Sequence, residues 1–257
     1  RTIAGVNKAE LDVKSARATL LAKEQDVLLS ATTAYMAVVR DQAVLDLNIK
    51  NEQVLQRQLE ATQDRFRVGE ITRTDVSQAE ARVAGAAADR IQSEGNLNNS
   101  RANYLNVIGE VPGKLLAPTT LGTLPAGLDA ATKAAMADHP DVVGLSYDEK
   151  AARENIKSVR GELLPTLSLA GSFARAWESS TNDSQLTTGK VGVDLTVPLY
   201  QKGSVYSRLR AAKQNAGESL LKLEDARRDA RETAAKSWET LETAKARIKS
   251  FTAQIKA

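Results

Sequence analysis

Apolar residues recur every three or four positions from about residue 2 to residue 66, with a mean spacing of about 3.5 residues, the coiled-coil period. They form one stripe: Leu20, Val27, Ala31, Ala34, Val38, Leu45, Ile49, Leu55, Leu59 and Phe66. Neither proline nor glycine interrupts this stretch after Gly5. The pattern predicts one continuous helix of roughly 95 Å, at about 1.5 Å per residue.

The helical pattern is interrupted at residues 65–72 and then restarts. Gly69 suits the left-handed conformation that ends many helices. Thr72 or Thr74 can cap the first turn of a new helix. Asp75 places a negative charge where the helix dipole favours one. These residues predict a tight turn, called here the tip (residues 65–76).

The apolar spacing resumes in the returning segment, from about Thr74 to Ile108. Gly109 is the predicted end of this helix. Residues 1–109 are therefore predicted to form a long antiparallel helical hairpin. A plain coiled coil is the alternative interpretation of this pattern.

A connector rich in Pro, Gly and Thr is predicted at residues 110–141, with one short amphipathic helix that ends before Pro140. A further helix is predicted at residues 142–163. The only histidine, His139, precedes the proline. We interpret it as a boundary residue, because no partner for a ligand or general base is evident.

The apolar period changes to two within residues 164–201, which predicts a β-hairpin with one apolar face. Strands of about ten residues with this alternation are typical of transmembrane β-barrels. A hairpin on a soluble core is the alternative. The predicted lipid-facing residues are Leu167, Leu169, Val191, Val193, Leu195 and Val197.

Arg175 departs from the apolar face of the first strand. Either the apolar band ends there or the strand changes register. Trp177 and Tyr200 lie at the two ends of the predicted strand pair, where interfacial aromatic residues belong. The loop between the strands is predicted at residues 178–189.

The predicted junctions between helices and strands are marked by Pro165 and Pro198, since proline stops both helix propagation and strand pairing. Gly203 opens a second long helix within residues 202–257. This helix keeps the hydrophobic register of the first at an offset of 203 residues, for example Leu20 with Leu223, which indicates an internal duplication.

The composition is 26% charged and only 4% aromatic, with a net charge of +3 and no cysteine. Positive and negative residues alternate, which is typical of solvated helix faces and disfavours nucleic-acid binding. No phosphate loop, metal cluster or nucleophile arrangement is evident, so we predict neither an enzyme nor a cofactor. No stretch approaches the roughly 18 apolar residues of a transmembrane helix. The chain begins and ends inside helical patterns, and we interpret it as a fragment.

The tip resembles that of the TolC-like outer-membrane channel family in Arg65-Phe66-x-Val68-Gly69, Thr74-Asp75-Val76 and Gln78-Ala79. Pro165-Thr166-Leu167 and Val197-Pro198-Leu199-Tyr200-Gln201-Lys202-Gly203 resemble its junctions. The order of elements resembles the family throughout residues 1–257. The implied fold is mostly α with a transmembrane β-hairpin. Its long helices would form an α-barrel, and its strands would join a trimeric twelve-stranded outer-membrane β-barrel.

The resemblance also assigns roles at the tip. Thr74 and Asp75 match a polar pair that constricts the family's tunnel at its periplasmic end. The segment that matches the docking groove for a periplasmic adaptor consists of Arg67, Val68, Gly69 and Glu70. Glu70 stands where the family usually has leucine.

The implied function is a passive exit duct for drug efflux or type I protein secretion. The duct would be a homotrimer in the Gram-negative outer membrane, in contact with its lipid and with helices extending into the periplasm. An adaptor and an inner-membrane pump or ABC transporter would open it, and no nucleic acid is involved. The alternatives are a periplasmic adaptor, which the second long helix disfavours, and a structural coiled coil, which the amphipathic strands disfavour.

Overall fold

The computed structural model describes residues 1–116, 122, 124–177 and 185–256. In chain order the elements are helix α1 (Thr2–Arg67), helix α2 (Arg73–Ile108), helix α3 (Leu128–Asp138), helix α4 (Pro140–Arg160), a 3₁₀ turn (Gly161–Leu163), strand β1 (Thr166–Trp177), strand β2 (Gln185–Thr196) and helix α5 (Ser204–Lys256). The prediction of a mostly helical chain with one strand pair is confirmed.

The chain divides into two compact units, one of Arg1–Ala22 with Pro125–Ala257 and one of Lys23–Leu124. Helix α1 contributes residues to both. The functional division at residues 109, 141, 163 and 201 stays a prediction. None of the helices in the described ranges combines the length and hydropathy of a membrane-spanning segment.

In the Lys23–Leu124 unit, α1 and α2 pack antiparallel through small and apolar side chains, including Ala34, Val38, Ala86 and Leu97, all of which are buried. Part of the predicted stripe therefore forms this interface. Val27 of the same stripe is 52% exposed.

Polar pairs lie within the same helix interface. Asn48 Nδ2 donates to Ser93 Oγ at 2.6 Å, and Arg90 Nε donates to Glu52 at 2.7 Å. The Ser100 hydroxyl donates to the buried Asp41 carboxylate. We call these three cross-helix pairs the polar ladder. The sequence pattern does not reveal these pairs, because each polar residue interrupts an apolar stripe.

The Asp41 carboxylate also accepts a hydrogen bond from Arg40 Nε at 2.7 Å. The neighbouring guanidinium and the Ser100 hydroxyl hold the pKa of Asp41 below its usual value, although its burial acts in the opposite direction. Asp41 is therefore a charged group inside the helix interface, compensated by a cation and a hydroxyl.

In the other unit, α3 and α4 pack on α5 around Val142, Leu223 and Ala230. The start of α1 approaches α4 closely at Gly144, where a Cβ would lie 3.6 Å from the Ala18 Cβ. Small residues thus set the spacing between these helices, as in other closely packed helix pairs.

Helix α4 begins at Pro140, two residues before its predicted start, since proline suits the first position of a helix. His139 is its N-cap, and Nδ1 accepts a hydrogen bond from the Asp141 backbone N–H at 3.4 Å. This position agrees with the interpretation of His139 as a boundary residue.

Strands β1 and β2 pair antiparallel without interruption, from Thr166 opposite Thr196 to Trp177 opposite Gln185. The predicted loop was too long, because residues 185–189 belong to β2. β-Branched Thr187 and Thr188 favour the strand there. Residues 178–184 of that loop lie outside the described residues.

The prediction that Val197 belongs to the lipid-facing strand was wrong, because β2 ends at Thr196. Continuing the register would pair Val197 with Pro165, which has no backbone N–H to donate. Pro198 follows directly and also lacks this donor. The two prolines therefore end the ladder at the same level.

We predict that Leu97→Ala lowers the free energy of unfolding of the hairpin by about 2–5 kcal/mol, because Leu97 is only 2% exposed and its removal leaves a cavity. Leu105→Ala on the same helix is the matched control, since Leu105 is 45% exposed. Denaturant unfolding followed by circular dichroism measures both. Equal losses for the two variants would contradict the described packing.

Candidate functional site

Two backbone hydrogen bonds at the tip end helix α1. The Gly69 N–H donates to the Phe66 carbonyl at 3.0 Å, and the Glu70 N–H donates to the Arg65 carbonyl at 3.0 Å. These two bonds define a Schellman motif with Gly69 at the left-handed C′ position. The φ of Gly69 is 83°, which a residue with a Cβ adopts only with strain. The predicted role of Gly69 in the turn is confirmed by this geometry.

An ion pair links the two residues that flank the Schellman motif. Arg65 Nε and Glu70 Oε2 lie 3.3 Å apart. Many Schellman motifs have an apolar contact in this place. Glu70 was noticed in the sequence as a departure from leucine, but its pairing with Arg65 was not. The sequence does contain one sign of this ion pair. Arg65 and Glu70 have opposite charges and stand five residues apart, on either side of the glycine that ends the helix.

The start of α2 is capped by Thr72 and Asp75. The Asp75 Oδ2 atom accepts hydrogen bonds from the Thr72 backbone N–H at 2.9 Å and from its hydroxyl at 2.8 Å. These bonds, the one from the hydroxyl first, lower the pKa of the Asp75 carboxyl below its ordinary value. Of the two candidate caps, Thr72 is therefore the one at the N-cap position.

Thr74 lies in the first turn of α2 next to Asp75, and both side chains are exposed. The structure thus brings the two predicted constriction residues together on the surface of the tip. It also gives Asp75 a local structural role, because its carboxylate completes the cap.

The predicted docking residues form the outer surface of the turn. Val68 is 73% exposed, which is high for an apolar side chain. Arg67 pairs with Asp64 at 3.1 Å, and both side chains are exposed. A Cβ added at Gly69 would meet no atom within 4 Å beyond its chain neighbours, so open space lies beside Gly69.

The register of the strands sorts their side chains into two faces. One face carries the apolar pairs Leu167 with Leu195 and Leu169 with Val193, followed by Gly171 with Val191. The opposite face carries Ser168 with Asp194 and Ser172 with Lys190. Five of the six predicted lipid-facing residues therefore share a strand face, and all five are exposed.

The junction residues lie where the strands meet the helices. Pro165 precedes β1, Pro198 follows β2, and Gly203 turns into α5 with a φ of 78°. Glu162, in the 3₁₀ turn after α4, pairs with Arg208 of α5 at 2.6 Å. This ion pair, which the sequence analysis missed, joins the helices on the two sides of the strand pair.

Among the described residues, no three His, Cys, Asp or Glu side chains are grouped so that they could hold a metal ion. The candidate site is a surface of exposed apolar and charged side chains on a hydrogen-bonded turn.

The family model described as outer membrane efflux protein matches residues 1–110 and 131–257. The chain belongs to this family. Outer membrane efflux protein BepC of Brucella suis biovar 1 is 31% identical over 95% of this chain and 54% of its own length. Outer membrane protein TolC of Vibrio cholerae serotype O1 is 29% identical over 80% of this chain and 49% of its own length. The predicted TolC-like resemblance is confirmed.

The open-state structure of the MtrE outer membrane channel of Neisseria gonorrhoeae superposes on this outer membrane efflux protein with a TM-score of 0.80. The match covers 99% of this chain and 58% of MtrE at 20% identity, so it supports the fold alone. The chain spans about half the length of the curated relatives it matches.

In this efflux-family tip, we predict that Gly69→Ala destabilises the hairpin by about 1–2 kcal/mol, because alanine must adopt a left-handed φ. Gly85→Ala is the control, and it should stabilise α2 by about 1 kcal/mol, since Gly85 is helical and has open space around it. Thermal unfolding followed by circular dichroism tests both. A stabilising Gly69→Ala would contradict the Schellman geometry.

Proposed function

We propose that this chain is part of an outer-membrane exit duct of a tripartite export system, a passive channel and not an enzyme. The observation that carries the proposal is an efflux-family chain whose strand pair exposes an apolar face over Leu167–Phe173 and Val191–Leu195. Two strands alone are not stable in water, so this pair must join further strands. In the proposed assembly, three copies supply the strands of one closed β-barrel and the helices of an α-barrel.

The length of the strands supports a membrane crossing. Each strand has 12 residues. Transmembrane β-strands need about 9–11 residues when tilted. The apolar face would contact lipid, and the face with Ser168, Ser172, Lys190 and Asp194 would line the water-filled interior.

We predict that Val193→Asp impairs assembly of the full-length protein in the outer membrane, because it places a charge on the lipid-facing side. Midplane Lys or Arg residues there cost about 2–4 kcal/mol, and Asp costs less. Ala170→Asp is the matched control, since Ala170 lies one position along the paired strand on the opposite face. The measurement is the amount of folded protein extracted from outer membranes. Equal yields for the two variants would refute the assigned faces.

The tip is the proposed gate and docking end of the duct. Both hydrogen bonds from Thr72 end on Asp75 Oδ2, and no donor contacts Oδ1 among the described residues. Asp75 can therefore cap its own helix and still accept a hydrogen bond or ion pair from another chain. Thr74 would contribute its hydroxyl beside it.

We propose that a periplasmic adaptor docks at Arg67, Val68, Gly69 and Glu70 and that an inner-membrane pump or ABC transporter supplies the energy. The exposed Val68 side chain offers an apolar contact, and Gly69 allows close approach of another backbone. The Arg65–Glu70 and Arg67–Asp64 pairs place exposed charges close to Val68 in the chain.

We predict that Asp75→Ala in the full-length protein raises resting single-channel conductance in a planar bilayer, because a carboxylate contact at the constriction is lost. Thr72→Ala is the control: it removes the hydroxyl that bonds Asp75 and keeps the carboxylate. It should leave conductance near the wild-type value. If Thr72→Ala raises the conductance as much as Asp75→Ala does, Asp75 acts only as part of the helix cap. If the wild-type protein shows no conductance at all, the proposed duct is overturned.

A further inference from the structure

Arg175 lies on the apolar face of β1, in line with Leu169, Gly171 and Phe173. The sequence left open whether the strand changes register at this point. The pairing shows that it does not, since Phe173 opposite Gly189, Arg175 opposite Thr187 and Trp177 opposite Gln185 continue one unbroken register. The guanidinium is therefore carried by the same strand face as the apolar side chains.

Trp177, the next residue along that face, holds the Arg175 guanidinium over its ring. The guanidinium carbon lies 4.5 Å from the centre of the indole ring, and Trp177 is 66% exposed. A guanidinium that stacks on an aromatic ring keeps its in-plane N–H groups free to donate. Among the described residues, no hydrogen bond or ion pair engages the Arg175 guanidinium, so the pair presents a cation held beside an exposed aromatic ring.

The position of this pair along the membrane rests on the proposed function. Helices α4 and α5 connect to the strands at the Thr166–Thr196 end, so the Trp177–Gln185 end is the one directed away from the periplasm. Ten residues separate Leu167 from Trp177. At about 3.3 Å per residue and a tilt of about 40°, this span is about 25 Å along the membrane normal, the height of the apolar band. Arg175 would lie two residues, about 5 Å, inside the outer edge of that band, a distance that its long side chain spans.

A charge that faces lipid is strongly unfavourable at the midplane, and this penalty falls close to zero at the interface. The interface of the outer leaflet presents phosphate groups, which accept paired hydrogen bonds from a guanidinium fork. We propose that Arg175 and Trp177 form a binding site for the phosphate of an outer-leaflet lipid. The indole contacts the upper acyl region and the guanidinium binds the phosphate oxygens.

The test uses the full-length protein, extracted from outer membranes and titrated with lipid in native mass spectrometry. The probes are phosphatidic acid and a diacylglycerol with the same acyl chains, which differ only in the phosphate. The wild-type protein should bind phosphatidic acid in preference to diacylglycerol. Arg175→Gln should weaken binding of phosphatidic acid about tenfold, the effect of losing one charge-assisted hydrogen bond.

Lys190→Gln is the matched control, because it removes one positive charge from the opposite face of the same strand pair. It should leave binding of phosphatidic acid unchanged. If Arg175→Gln fails to assemble, Arg175→Lys tests the site instead, since lysine keeps the charge and loses the planar fork. That variant should bind more weakly than the wild type.

Equal binding of the two lipids, or equal losses from Arg175→Gln and Lys190→Gln, would overturn the site. Competition by inorganic phosphate at the concentration of the lipid would overturn a lipid as its ligand. Recovery of wild-type protein outside the outer membrane would overturn the proposed duct, and that result is read before any lipid is added. The two failures are therefore distinguishable.

Discussion

The register between α1 and α2 is the constraint on which the tip depends. Small residues such as Ala34 and Ala86 are buried in this interface, and alanine contacts distinguish poorly between neighbouring registers. The polar ladder supplies the distinction, because a shift by one turn would separate the Ser100 hydroxyl from the buried Asp41 and the Asn48 amide from the buried Ser93. A hydrogen bond lost from such a pair costs about 0.5–1.5 kcal/mol, and about 1.5–3 kcal/mol where one partner is charged. The ladder therefore determines which residues reach the turn, and the turn then presents Val68 and Asp75.

Local chemistry made much of this fold predictable. The apolar spacing of α1, the left-handed glycines at Gly69 and Gly109, and the prolines beside the strands each act within a few residues of where they stand. The start of β2 was misplaced because Thr187 and Thr188 are polar and resemble a loop until their partners in β1 are known. The same holds for Val197, whose exclusion from the strand depends on Pro165 across the pair.

The tip was predictable in outline but not in its pairings. Gly69 and a capping threonine were predictable from sequence, because helix ends have strong residue preferences at these positions. It could not choose Thr72 over Thr74, which depends on the residue at which the helix begins. It also missed the Arg65–Glu70 and Glu162–Arg208 pairs, because each joins side chains across a change of chain direction. Such contacts are set by the fold and not by a local pattern.

The most direct test of the ladder is cross-linking of cysteine pairs in the full-length protein. The chain has no cysteine of its own in this segment. Asn48→Cys with Ser93→Cys places two thiols where side chains now meet at 2.6 Å, so a short bis-thiol reagent should link them efficiently. Asn48→Cys with Asp89→Cys reports a register shifted by one turn and should link poorly. The reverse preference would contradict the register and, with it, the residues assigned to the tip.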